Sequence, residues 1–130
     1  MTLRPSMTLQ PSRVFVVDDE PMILRALAKL LRMSGYVVET FGDPRAFLAH
    51  LSAGDRGCAL VDLQMPGLSG LELQKELEAR GIRVPLIFMS GHTDGPEAVT
   101  AMKRGAVDVL TKPFEANEMI AAVERALAPA

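Results

Sequence analysis

Four short apolar runs of this sequence are each followed by side chains that could bind a cation or a phosphoryl group. These side chains are carboxylates, one hydroxyl and one ammonium, namely Asp18, Asp19 and Glu20, then Asp62, then Ser90, and then Lys112 between Thr111 and Pro113. Carboxylates cannot gather without a cation, since two unit charges ~4 Å apart repel by roughly 4 kcal/mol at an effective dielectric of about 20. Lys112 is the fixed cation that the strand ends offer.

An acidic cluster of this kind also suits a metal ion. Its ligands would be oxygens, and the chain has only two histidines and one cysteine. A hard divalent ion is therefore favoured, Mg²⁺ before Ca²⁺ or Zn²⁺, and the spacing is not that of an EF-hand loop. A carboxylate, a metal, a lysine and a hydroxyl around one point are the components of a phosphoryl-transfer site. In such a site Asp62 would be the nucleophile, and the cations would offset charge on the phosphoryl oxygens.

Each of these signals has an ordinary explanation when it is taken alone. Two aspartates after a strand often form a helix N-cap, an aspartate before a Gly/Pro turn often serves only the turn, and a Lys-Pro pair is usually a loop. The functional interpretation therefore depends on whether the fold brings the four strand ends together.

Five apolar runs alternate with amphipathic stretches of helical length. The runs cover residues 14–17, 37–41, 59–61, 86–89 and 107–110, and most are apolar on both faces, as in strands buried within a parallel sheet. Five such units predict a single doubly wound (βα)5 domain of the α/β class, flavodoxin-like, over residues 13–128. Residues 1–12 contain a near-duplicated hexapeptide with two prolines and are predicted to form a disordered N-terminal arm.

Parallel strands bring their carboxyl ends to one edge of the sheet, where α/β domains bind ligands. With the strand order 2-1-3-4-5, the four polar strand ends become neighbours and the end of strand 2, which lacks comparable chemistry, lies at the side. The spacing of apolar residues predicts that Leu73 and Leu77 of the third helix face the core, and that Val99 and Met102 of the fourth helix do so as well.

Composition narrows the class of protein. A net charge of −2 with both signs scattered, and an aromatic content of 5%, argue against direct nucleic acid binding by this chain. Cys58 is the only cysteine, so no internal disulfide can form and a reducing compartment is indicated. The apolar runs are far shorter than the ~20 residues that span a bilayer, and no apolar signal segment is present at the start. We therefore expect a cytoplasmic protein that does not bind membranes.

Four strings of the sequence carry a resemblance to a known family: VFVVDDEP, ALVDLQMPGLSGLEL, PLIFMSGHTD and GAVDVLTKPF. They resemble the CheY-like receiver domains of bacterial two-component response regulators, and among these the FixJ/NarL type of transcription regulator. The resemblance covers residues 13–128. It implies a domain that takes a phosphoryl group on an aspartate and later loses it, and not an enzyme with a separate substrate.

The resemblance also assigns roles to the acidic residues. Asp62 would be the phosphoacceptor and also a Mg²⁺ ligand. Asp19 would bind Mg²⁺ directly, and Asp18 would bind it directly or through water. The backbone carbonyl of Gln64 would complete the protein ligands.

The remaining strand-end residues match groups that contact the phosphoryl group. Ser90 matches the hydroxyl that hydrogen-bonds to it, and Lys112 matches the ammonium that pairs with it. Gln64 and His92 occupy positions that are candidates for tuning the reaction rate. Three further residues match the turn that shapes the loop after the acceptor in the family: Pro66, Gly67 and Gly70.

Two features of the fifth strand follow from the resemblance. The peptide bond between Lys112 and Pro113 is predicted to be cis, because receiver domains turn sharply there. At the switch position three residues before the lysine, receiver domains usually have Tyr or Phe, and this chain has Val109. Valine is small and stiff about χ1, so it cannot reorient as a large ring does.

Three functions remain open at this point. The leading one is a switch that accepts a phosphoryl group from a sensor histidine kinase or phosphotransfer protein. It would then change the face formed by the fourth helix, fifth strand and fifth helix, with homodimerisation as one consequence. A C-terminal DNA-binding output domain, outside this chain, would make the parent protein a transcription regulator.

The second possible function is a stand-alone receiver that acts as a phosphorelay shuttle or protein–protein regulator. The third is a Mg²⁺-dependent aspartyl-phosphate hydrolase, which would need a general acid–base.

Overall fold

The structure is a computed structural model that describes residues 12–91 and 95–128. The described residues contain five parallel strands: β1 (Arg13–Val17), β2 (Val37–Phe41), β3 (Cys58–Asp62), β4 (Leu86–Ser90) and β5 (Asp108–Thr111). Five helices alternate with them: α1 (Pro21–Met33), α2 (Pro44–His50), α3 (Gly70–Ala79), α4 (Pro96–Lys103) and α5 (Ala116–Leu127). The sheet order is β2-β1-β3-β4-β5, which confirms the predicted doubly wound architecture.

Side chains of the inner strands alternate between two apolar cores, because successive residues of a strand point to opposite faces of a sheet. Phe15 and Val17 of β1 pack in the core under α2, α3 and α4, whereas Val14 and Val16 pack in the core under α1 and α5. All four are fully buried. Burial contributes about 1.5–3 kcal/mol for a side chain of this kind, so the sheet is a rigid base for the loops at its ends.

The strands extend slightly further than the apolar runs predict. Relative to those runs, β1 begins one residue earlier, β3 adds one residue at each end, β4 ends one residue later, and β5 is displaced by one residue. Asp62 and Ser90 are therefore the last residues of their strands and lie in the ladder, Asp62 opposite Met89 and Ser90 opposite Thr111. Their backbones are held by the sheet.

The prediction for the inward face of α4 is wrong. Val99 and Met102 are 45% and 46% exposed, and the residues that α4 buries are Ala98 and Ala101. Apolar residues lie on two adjacent faces of this eight-residue helix. The small side chains pack against α3, where Gln74 donates a hydrogen bond to the Ala101 carbonyl at 3.1 Å. Close approach of the two helices therefore selects alanine for the buried face.

None of the described helices is long and apolar enough to cross a membrane. Apart from residue 12, the arm predicted over residues 1–12 lies outside the described residues, and so does His92. The predictions for both remain as they were.

Candidate functional site

Three carboxylates meet at the carboxyl ends of the neighbouring strands β1 and β3. Asp18 directly follows β1, where its backbone N–H donates to the carbonyl of Phe41 at 3.1 Å, and Asp62 ends β3. Asp18, Asp19 and Asp62 each offer an oxygen, and these oxygens lie within 4.8 Å of one another. Asp18 and Asp62 are buried and Asp19 is exposed. The acidic cluster inferred from the sequence is therefore assembled by the fold.

The two buried carboxylates are held in the same way. Oδ1 of Asp18 accepts a hydrogen bond from the N–H of Glu20 at 2.9 Å, and Oδ1 of Asp62 accepts one from the N–H of Gln64 at 3.1 Å. In both cases a short turn fixes the carboxylate from two residues further along the chain. The two Oδ2 atoms lie 3.4 and 3.3 Å from Nζ of Lys112. Both carboxylates therefore direct their second oxygen toward one ammonium.

Burial of these charges shifts two pKa values. Burial raises the pKa of Asp18 and the neighbouring Asp62 raises it further, while the Glu20 N–H and the Lys112 ammonium act in the opposite direction without reversing the shift. Burial by itself would lower the pKa of Lys112, but the charges of Asp62 and Asp18 outweigh it, so this pKa is raised. Lys112 is thus an ammonium at neutral pH. The Glu20 N–H and the Lys112 ammonium therefore offset only part of the effect that burial has on the pKa of Asp18.

The donor set fits a hard divalent cation. Asp18, Asp19 and Asp62 could hold such an ion through carboxylate oxygens, the ligands that Mg²⁺ prefers. Mg²⁺ usually retains several waters, which suits a cluster with one exposed carboxylate at its rim. Burial is the largest cause of the raised pKa of Asp18, and a bound divalent cation would stabilise the charged form of this carboxyl group. The role of the Gln64 carbonyl as a ligand stays a prediction.

The predicted hydroxyl and ammonium residues lie on the strands beyond Asp62. Ser90 is buried, with 2% of its surface exposed, at the end of β4. Its carbonyl accepts a hydrogen bond from the backbone N–H of Lys112 at 2.7 Å, which ties the two residues together. The Lys112–Pro113 bond is cis, so this prediction is confirmed.

The loop after Asp62 returns tightly to the sheet at Gly70. The N–H of Gly70 donates to the carbonyl of Leu63 at 2.9 Å. A Cβ on Gly70 would lie 2.9 Å from Cα of Leu63, 2.9 Å from Cε1 of Phe88 and 3.1 Å from the carbonyl oxygen of Asp62. Only glycine allows α3 to begin this close to Asp62.

Replacing Gly70 with alanine is expected to destabilise the fold by about 1–3 kcal/mol, because the added methyl group overpacks a backbone contact that cannot move freely. The change should be measured as the free energy of unfolding in urea. Gly42→Ala is the matched control, since its Cβ would meet only Cδ1 of Leu24, at 4.0 Å. Equal stability of the two variants would contradict the close-packing argument.

Two contacts to the α4 region could not be found from sequence. Nε2 of Gln64 donates to Oε1 of Glu97 at 3.4 Å, joining the loop after Asp62 to α4 across 33 residues of sequence. Gln74 reaches the carbonyl of Ala101 with its amide N–H, and its own Oε1 is buried without a hydrogen-bond partner. No local pattern marks these residues, because each contact depends on how α4 packs.

Val109 lies on β5, the strand on which the resemblance places it. It is partly buried and packs against the core that contains Phe88 and Ala101. A surface cavity of about 370 Å³ beside it is lined by Ala98, Val99 and Met102 of α4, among others. Because valine fills little of this space, the position between β5 and α4 is open.

Comparison of the sequence with known protein families identifies the family of this chain. The model of the response regulator receiver domain matches residues 14–124. The chain belongs to the response regulator receiver domain family. This receiver domain is 49% identical over 114 residues to the transcriptional regulatory protein FixJ of Azorhizobium caulinodans, a match that covers 88% of the chain and 54% of FixJ.

Two further comparisons agree with this assignment. The receiver domain is 41% identical over 121 residues to the response regulator protein TodT of Pseudomonas putida, covering 93% of the chain and 53% of TodT. The crystal structure of FixJ-N superposes with a TM-score of 0.83 at 43% identity, covering 94% of the chain and 99% of FixJ-N. The chain spans about half the length of the curated relatives it matches.

Proposed function

We propose that this receiver domain accepts a phosphoryl group on Asp62 from a sensor histidine kinase or phosphotransfer protein, with Mg²⁺ held by the acidic cluster. The observation that carries the proposal is the convergence of three carboxylates, with oxygens within 4.8 Å of one another, on the ammonium of Lys112. A site that must exchange a phosphoryl group with a partner needs access from solvent.

The chemistry uses groups already in place. An oxygen of Asp62 attacks phosphorus while the bond to the donor nitrogen breaks, and the donor imidazole keeps that electron pair. Lys112, which contacts Asp62 at 3.3 Å, offsets charge on the phosphoryl oxygens, and the Ser90 hydroxyl hydrogen-bonds one of them. When bound, Mg²⁺ would offset charge on the same oxygens and bring them to the carboxylates.

A dedicated hydrolase is the less favoured alternative. Such an enzyme needs a general acid–base poised beside the nucleophile. The nearby candidates Asp18 and Asp19 are assigned to the ion, and Lys112 is an ammonium whose pKa is raised. The domain should therefore lose its own phosphoryl group slowly and show no turnover of a generic phosphate ester.

The parent protein is proposed to be a transcription regulator whose DNA-binding output domain lies outside residues 1–130. The support is that FixJ, a transcriptional regulatory protein, is about twice as long as the matched segment. Phosphorylation would act on that domain through the face of α4, β5 and α5, with homodimerisation as one outcome. A stand-alone receiver that serves as a phosphorelay shuttle or protein–protein regulator is the alternative.

The test of this function is chemical. Incubation with acetyl phosphate and Mg²⁺ should attach one phosphoryl group per chain, measured by intact-protein mass spectrometry. The bond should be cleaved by hydroxylamine, as an acyl phosphate is and a phosphoserine is not. A label that resists hydroxylamine would count against the acceptor being a carboxylate.

Val109 allows the signal path to be tested. We expect coupling to pass through Ser90 and the loop between β4 and α4, because a two-state element needs differential contacts with the phosphoryl group and these contacts require no ring. Amide NMR shifts of α4 should therefore change when a phosphoryl analogue binds to the wild-type domain. Val109→Tyr should respond to a similar extent.

The control for this experiment is Val109→Leu, which adds apolar volume next to the cavity of about 370 Å³ without adding a ring. Silent α4 amides in wild type and in Val109→Leu, with a response restored only by tyrosine, would point to the ring as the main conduit. The wild-type domain would then be a muted switch.

A further inference from the structure

A row of arginines crosses the end of the sheet that lies opposite the acidic cluster. Ala59 of β3 pairs with Leu86 of β4, and counting back three residues along both chains gives Arg56 and Arg83. Ile87 of β4 pairs with Asp108 of β5, and counting back four residues gives Arg83 and Arg104. Arg56, Arg83 and Arg104 thus lie in the connections that enter three adjacent strands, with Arg104 at the end of α4. Since neighbouring strands lie about 4.8 Å apart, the amino ends of these three strands span about 10 Å.

These three arginines are not engaged in ion pairs. The ion pairs found within residues 12–91 and 95–128 use other basic residues, and Arg56, Arg83 and Arg104 take part in none of them. All three are exposed. Arg13, at the amino end of the next strand β1, is different, because its guanidinium lies 3.3 Å from Glu39. In the described part of the chain, no carboxylate lies within ion-pair distance of these three guanidinium groups.

Two adjoining cavities follow this row. One of about 770 Å³ is lined by Arg13, Arg56 and Arg83, and one of about 440 Å³ by Arg83 and Arg104. Arg83 and Pro85 line both cavities, so the two cavities adjoin at these residues. Together they are here called the arginine groove. The carboxylates along it are fewer than the arginines: Asp55, whose Oδ2 accepts a hydrogen bond from the N–H of Ser52 at 2.7 Å, and Glu78.

The walls of the arginine groove are aliphatic. Val37 and Leu127 line one end, and Ile82, Val84 and Leu86 line the other. No Phe or Tyr is among the described residues that line it, so it offers no platform on which nucleic acid bases could stack. A small anion would need guanidinium groups that converge on one point, whereas Arg56, Arg83 and Arg104 are distributed over two cavities and do not all line either one. A linear partner with alternating acidic and apolar side chains fits this combination.

We propose that the arginine groove binds an extended acidic peptide segment of a partner protein, with carboxylates on the row of arginines and apolar side chains against the aliphatic walls. An extended segment rises about 3.3 Å per residue, so four or five residues cover the row. Charge-assisted hydrogen bonds from guanidinium groups give such a contact both strength and orientation. The groove is at the opposite end of the sheet from Asp62, so a segment bound there leaves the acceptor site accessible.

The experiment uses the full chain and a fluorescein-labelled peptide in which four glutamates alternate with four leucines, and binding is measured by fluorescence anisotropy. The double variant Arg56→Gln with Arg83→Gln should raise the dissociation constant of the peptide about tenfold or more, since it removes two charge-assisted contacts. The matched control is Arg25→Gln with Lys29→Gln, which removes the same charge from exposed positions of α1. This control should change the dissociation constant less than about twofold. Binding should weaken as salt is raised.

Three results would overturn the proposal. The first is the absence of saturable binding at peptide concentrations up to about 1 mM. The second is an equal loss of affinity in both double variants, which would indicate attraction by overall charge. The third is tighter binding of a single-stranded oligonucleotide of matched charge, which would assign the groove to nucleic acid. Because phosphoryl labelling with acetyl phosphate is measured on the same proteins and should not change, a failure of the groove is distinguishable from a failure at Asp62.

Discussion

Replacing Asp62 with asparagine is expected to abolish labelling by acetyl phosphate and by a phosphorylated histidine kinase. Asparagine keeps the shape of the side chain but removes the anionic oxygen that attacks phosphorus. It also removes one of the two negative charges that Lys112 contacts, at 3.3 and 3.4 Å, so the fold itself should tolerate the change. The measurement is the fraction of protein that carries a phosphoryl group in intact-protein mass spectra.

Glu76→Gln is the control for this variant, since it also neutralises a carboxylate, but one that pairs with Arg80 on α3 at 3.1 Å. It should label as wild type does. Stoichiometric labelling of the Asp62→Asn protein at another residue would refute the assignment of Asp62 as acceptor. Circular dichroism of both variants verifies that the sheet and helices are retained.

Removal of divalent metal with a chelator is expected to stop labelling almost completely. Asp18, Asp19 and Asp62 offer oxygens within 4.8 Å of one another, so an incoming phosphoryl group meets concentrated negative charge, which Mg²⁺ would offset. Asp19→Ala should have the same effect in the presence of Mg²⁺. Asp19 is exposed, so its replacement should not disturb the core.

The metal prediction has a separate readout that does not depend on transfer. Mg²⁺ should bind the wild-type domain weakly without phosphate, and amide NMR shifts around β1 and β3 should report that binding. Asp19→Ala should reduce these shifts at a given Mg²⁺ concentration. Labelling that continues undiminished in chelator would show that the site works without a divalent ion.

Strand ends explain why much of the site could be predicted from the sequence. The carboxyl ends of parallel strands meet at one edge, so Asp18, Asp62, Ser90 and Lys112 needed only a correct strand order to become neighbours. The i to i+2 turn bonds at Asp18 and Asp62 are also local. The contact of Lys112 with Asp18, 94 residues away in sequence, follows from the sheet without further information.

The packing of α4 could not be predicted in the same way. Hydrophobic periodicity favours the largest side chains, and it placed Val99 and Met102 inside although they are largely exposed. The determining factor is how closely α3 approaches, which depends on the buried Gln74 amide and on alanines opposite it. A sequence pattern contains no information about an interhelical distance. The arginine groove also became visible only when the strand register was known.

The alanine face of α4 has a consequence for how the molecule opens. Within the described residues α4 buries only Ala98 and Ala101, whereas α5 buries Met119 and Val123 as well as two alanines. Each buried methylene contributes about 0.8 kcal/mol, so α4 has much less apolar area to lose when it detaches. The unsatisfied Oε1 of Gln74 beneath it lowers that cost further.

Local unfolding should therefore begin at α4 while the sheet and the remaining helices stay closed. The amides of α4 would then exchange with deuterium through brief detachments of this helix alone, at free energies well below that of global unfolding. Because α4 also contacts the loop after Asp62 through Glu97 and Gln64, the helix that we expect to open first is one that touches the candidate site. We therefore expect a change in that loop to alter how often the helix opens.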